Sequence, residues 1–144
     1  MTDYWSQKSA EGVLATEPVI GWAYAGDTSV AAWKGVRSYT TSAANKLLVM
    51  LATTRAGWGI ALKTVGTAGL AVPVFLRGII KLKSAGSTMD KAQYFDSSGE
   101  LLDLADQACN ESGSDTYTIY FSAKVARALQ TLSDNDYGLY YFNP

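Results

Sequence analysis

Residues 63–81 read KTVGTAGLAVPVFLRGIIK, and the thirteen positions between Lys63 and Arg77 carry no charge. Such a stretch is either drawn to a membrane or buried in a protein core. Thirteen residues rise about 20 Å as a helix, short of the roughly 30 Å hydrocarbon layer of a bilayer. Gly66, Gly69 and Pro73 lower the helical tendency further. The stretch is too short for a solitary span and is expected to face protein, its own core or a sister copy. Pro73 suits the first turn of a helix, PVFLRGIIKLKS. In that helix Phe75, Ile79 and Leu82 share a face, with Arg77, Lys81 and Lys83 elsewhere.

Upstream, residues 40–62 show an apolar stripe at helical spacings, Leu47, Leu51, Trp58 and Leu62, with Leu48 and Met50 widening it. Two strands, KLLVML and WGIALKTV, are the alternative, and period alone leaves helix against strand open over 43–72. TSVAAWKGVRSY places Val30, Trp33 and Val36 on one helical face behind the capping residues Asp27, Thr28 and Ser29. EGVLATEPVIGWAYAG (11–26) reads as a short strand or loop, broken at Pro18 and closed at Gly26. Downstream, Ser97 and Glu100 have capping-box spacing ahead of the stripe Leu101, Leu104, Ala105 and Ala108, so a helix is expected over 97–111. TYTIYF (116–121) reads as strand, SAKVARALQTLS as helix and YGLYYF as a last strand. The expected fold class is α+β: one domain over 1–144, a helical middle (28–83 and 97–111) and a strand-helix-strand final third.

At 144 residues the chain can bury a core without staples. Charged residues are 17% of it, low for a soluble domain, and hydroxyls and small residues fill the gap. A surface of that kind resists association weakly. Cys109 is the single cysteine and there is no histidine. An internal disulfide, a zinc site and the Ser–His–Asp and Cys–His mechanisms are therefore closed. Asp134 and Asp136 begin like a calcium loop, but the loop's glycine and its final acid are missing. No phosphate-binding glycine motif occurs. Neither a catalytic residue nor a metal or cofactor site is expected. MTDYWSQKSAEG lacks the basic start and apolar core of a secretory signal. The expectation is synthesis in the cytoplasm, with a virion or a signal-independent export route as destination.

The charges are sorted by sign. Residues 28–89 carry eight Lys and Arg and no acid, whereas residues 90–144 carry nine acids and three bases. A near-neutral total thus hides a dipolar chain. Three arrangements follow. The basic middle folds against the acidic ends and neutralises itself; or one face stays basic and meets nucleic acid or an anionic membrane; or the basic face of one copy meets the acidic face of the next. The residues expected at an assembly or anion contact are Lys34, Arg37, Arg77, Lys81, Lys83 and the aromatic tail, Tyr137, Tyr140, Tyr141 and Phe142. The function these features favour is a non-enzymatic structural subunit of capsid, tail or filament type that assembles with itself. The alternatives are a membrane-active protein working through the apolar, basic segment 58–83, and a nucleic-acid-binding protein.

Overall fold

The computed structural model describes residues 11–13, 18–41, 45–53, 57–104 and 124–144. Those residues contain no helix. They form ten strands: β1 (Gly12–Val13), β2 (Val19–Ala25), β3 (Gly35–Ser38), β4 (Leu48–Leu51), β5 (Gly59–Ala61), β6 (Ala71–Lys83), β7 (Ala92–Phe95), β8 (Leu101–Asp103), β9 (Ala126–Ala128) and β10 (Tyr137–Phe142). The expected α+β class, with helices over 28–83 and 97–111, is overturned by this all-strand architecture. Residues 105–111 and the strand expected at 116–121 lie outside the described residues.

The strands make two structures that share one member. In the first, β2, β4, β3, β5 and β6 follow one another, and β6 pairs back onto β2, which closes a small barrel. Its pairs are antiparallel except β2 with β4. In the second, β6 is flanked by β1 on one side and β10 on the other, and the sheet continues through β9, β7 and β8. The first half of β6 belongs to the barrel and the second half to the sheet.

From Ala71 onward the opening stretch of sequence is therefore a strand that serves two layers, and its irregularities are what allow that. Along β6 the register on β2 steps from Phe75 to Arg77 while β2 steps only from Ile20 to Val19. This is a bulge, one extra residue that exchanges the two faces of the strand. Before it, Val72 and Val74 point into the barrel and Phe75 points out. After it, Ile80 and Leu82 join Phe75 in a second core between barrel and sheet. Gly78 follows the bulge with φ +131°, a backbone that L side chains rarely adopt. Phe75, Ile79 and Leu82 thus have helical spacing in the sequence, but Ile79 faces away from the other two, alongside Lys81 and Lys83. Pro73 fits because its carbonyl accepts the Leu62 N–H at 2.9 Å. The donor it lacks would point the same way, just past the end of β5 at Ala61.

Among the described residues, the fully buried side chains of the barrel interior are small: Ala23, Ala25, Val30, Val36, Val49, Ala61, Val65, Val72 and Val74, with Trp58 and Leu76 packed against them part-exposed. A closed barrel of five strands is too narrow for more. The second core is larger-grained. Phe142 of β10 lies 6.0 Å from Phe75 and 6.1 Å from Phe95, ring centre to ring centre, in tilted pairs. Phe95 lies flat on the barrel wall at Gly35, where a Cβ would come within 2.5 Å of its ring. The helix expected over TSVAAWKGVRSY (28–39) is thus replaced by a turn and β3, whose first residue must be glycine.

Other segments follow suit. KLLVML and WGIALKTV supply β4 and β5, so the two-strand alternative for 43–62 is the one that stands. Ser97 does not cap a helix. Asp96 Oδ1 accepts the N–H groups of Ser98 and Glu100, and Gly99 turns the chain from β7 into β8. SAKVARALQTLS contributes β9 rather than a helix, while YGLYYF is β10.

Gly78→Val should lower stability by about 1–3 kcal/mol, because it forces a side chain into that backbone and brings its Cβ to 3.2 Å from the Phe75 ring. In Gly66→Ala the new methyl meets nothing within 4 Å, and the urea midpoint should move little. Equal midpoints for the two variants would refute this role for Gly78.

Candidate assembly surface

The fold keeps apart the charges that the sequence keeps apart. Among the described residues, those of 18–77, which build the barrel, carry five bases against one acid, and those of 78–144 carry five bases against six acids. The two meet through an ion pair at one place among the described residues. Lys34 on the turn before β3 pairs with Glu100 before β8, and Lys83 Nζ approaches the same Glu100 oxygen at 4.0 Å. Glu11 lies in the same field. Burial pushes its carboxyl up, partly offset by Lys34 and Lys83, with Glu100 adding to the rise. Arg37, Lys46, Lys63 and Arg77 form no ion pair among the described residues.

The barrel's outer wall carries most of the exposed grease. Among the described residues the large exposed hydrophobic ones are Val19, Ile20, Trp22, Leu47, Leu70, Met89 and Tyr141, and the first five are on β2 or hydrogen-bonded beside it. Trp22, 70% exposed, stands opposite Pro73. Tyr24, next on the same face, lies under Lys46, whose Nζ is 5.1 Å from the ring centre. Exposed Arg77 stands opposite Val19. Asp27, the barrel's acid, accepts hydrogen bonds from the backbone N–H and hydroxyl of Ser29.

This stripe was not among the residues expected from the sequence. A signal for it exists in VIGWAYA: the large Ile20, Trp22 and Tyr24 alternate with Gly21, Ala23 and Ala25. In a barrel this narrow the small set goes inside, and the aromatic set is left on the surface.

The residues that the sequence did single out are dispersed. Lys34 and Lys83 are at the seam, and Arg77 is at the edge of the stripe. Arg37 is half-buried on β3 with Nε unpartnered. Lys81 is 3% exposed between Gly12 and Leu139, and its Nζ has no hydrogen-bond partner. Phe142 and Tyr140 are core residues. Tyr137 is half-buried opposite Lys83. Tyr141 lines a cleft of about 310 Å³ with Lys124, Ala126, Arg127 and Asn143 on the sheet's outer side.

Tyr140 anchors a buried polar chain. Ser87 donates to Gln93 Oε1 at 3.1 Å, which leaves Tyr140 as donor to Ser87 at 2.5 Å. Gln93 in turn donates to Asp103 at 2.7 Å, and Asp103 accepts the Thr88 N–H and hydroxyl at 2.8 and 2.6 Å. Burial pushes the Tyr140 phenol up, by more than the hydrogen bonds of Ser84 and Ser87 hold it down. At Asp103 partial burial also raises the carboxyl. The bonds from Thr88 and Gln93 and the charge of Lys91 outweigh it and hold the group below the usual carboxylate range. The chain of hydrogen bonds ties β7, β8 and β10 and the 84–88 loop into one register. Beside that loop Met89 is exposed, its N–H on Thr131 Oγ1; Asp90, Asp134 and Asp136 are exposed too, the last with its carbonyl on the Ser84 N–H.

No family model and no curated protein sequence matches the chain. Its fold is similar to that in the crystal structure of the head fiber gp8.5 N base of bacteriophage phi29. The TM-score is 0.60 at 12% identity, over 88% of this chain and 94% of that one.

The depressed Asp103 carboxyl has a consequence in acid. Its contribution to stability is present above the unfolded-state carboxylate pKa and is lost as pH falls through the lower folded value. Wild-type stability should therefore decline below about pH 4, and Asp103→Asn should flatten that decline. Urea midpoints measured across this window that fall equally in both proteins would contradict the assignment.

Proposed function

We propose that the chain is a non-enzymatic structural subunit of a virion, of capsid, tail or fibre type, that assembles with itself through its basic barrel and acidic sheet. The observation that carries this reading is the likeness to a phage head-fibre base over nearly the whole of both chains. The charge layout supports the mode of assembly. Among the described residues, the barrel's cations other than Lys34 form no ion pair, while Asp90, Asp134 and Asp136 on the sheet's side are exposed. Contacts built on such charges are steered over distance and weaken with salt.

Much of the apolar content of segment 58–83 is buried, which favours assembly over lipid as its role. Ile60, Ala61, Val65, Val72, Val74, Phe75, Ile80 and Leu82 are all buried. The basic residues of the middle are distributed around a barrel instead of along a groove, an arrangement that tracks a nucleic-acid backbone poorly.

Light scattering and electron micrographs of the purified chain test the proposal. At low ionic strength the particles should be much heavier than the 15.4 kDa chain, and they should loosen as salt is raised. A protein that remains monomeric at every salt and protein concentration would overturn it.

A further inference from the structure

We propose that copies of the chain join head to tail, the β2 stripe of one seated on the acidic 131–136 turn of the next. This rests on the self-assembly proposed above and names the two faces that meet. Ile20, Trp22 and Pro73 form the apolar centre of the first face, flanked by Lys46 and Arg77. With Asp27 engaged by Ser29, no free carboxylate of the described barrel lies against them. A half-exposed aromatic strip with a cationic rim is the composition of a protein-binding surface, and its complement is an apolar residue ringed by acids. The chain carries that complement. Met89, 56% exposed, adjoins Asp90, and its N–H bonds Thr131 Oγ1 in the segment that continues into exposed Asp134 and Asp136.

The two faces lie at opposite ends of β6. Trp22 pairs with Pro73 near the start of the strand, and Ser84, just past its end, donates to the Asp136 carbonyl. Eleven residues of strand separate them, about 35 Å. Faces so far apart and so different make a heterologous contact, which propagates into a ring or filament. A symmetric stripe-to-stripe pair would set Lys46 and Arg77 against their own copies, at a cost in like-charge repulsion.

Two variants separate these outcomes. Trp22→Glu breaks the stripe and keeps the acidic end; Met89→Lys with Asp134→Lys does the reverse. Their side chains are exposed, and circular dichroism checks that each folds, with Ile20→Lys as a second stripe variant. By sedimentation at low salt, each variant alone should stay monomeric where the native chain assembles. An equimolar mixture should stop at a one-to-one pair, because one competent contact remains. Assembly of the Trp22→Glu chain would sink the inference. So would normal assembly of the Met89/Asp134 variant, which is the stripe-to-stripe result, or a mixture that does not pair. In those cases a native chain that still assembles leaves the broader proposal intact. A native chain that never assembles removes both.

Discussion

A single strand has to be in two places. β6 closes the barrel with its first seven residues and forms the middle of the sheet with the rest, and the backbone accommodates this by a bulge and by Gly78 at φ +131°. Once the faces of the strand are exchanged there, one chain segment supplies Val72 and Val74 to one core and Phe75, Ile80 and Leu82 to the other. The stack of Phe75, Phe142 and Phe95 then links barrel to sheet across the shared strand. Neither half can be repacked without altering the same backbone.

The size of the barrel determines what the surface looks like. An interior of alanine and valine leaves no room for tryptophan, so the bulky members of VIGWAYA are displaced outward and gather with Leu47 and Leu70. The sheet, with a deeper core, takes up three phenylalanines and a tyrosine instead. Charge follows the same division. The basic run of the sequence builds the barrel and the acidic run builds much of the sheet, with Lys34, Glu100 and Lys83 at the seam. A molecule with an apolar, cationic end and an acidic end is suited to meeting copies of itself in one direction.

Some of this was legible in the residues. The sign-sorting of charge is plain in the sequence and survives folding, and YGLYYF announces its strand by β propensity. The strand nature of the middle was not legible, for a physical reason. A bulge inserts one residue into a period of two, so the buried Phe75, Ile80 and Leu82 do not alternate, and Ile79 on the opposite face completes a helical spacing with Phe75 and Leu82. Glycines that a helix tolerates badly, Gly35 and Gly78, mark places where rings or backbone approach closely, but their role depends on partners sixty residues away in the case of Phe95. The stripe on β2 escaped notice because aromatics are expected inside. Only the narrowness of a barrel not yet known to exist reverses that expectation.

The claim that barrel and sheet share one structural member is tested most directly by hydrogen exchange resolved by peptide across a urea series. Protection in β3 and β5 should be lost at the same denaturant concentration as protection in β7, β9 and β10, because β6 is common to both. A range of urea in which either group has exchanged while the other stays protected would contradict it.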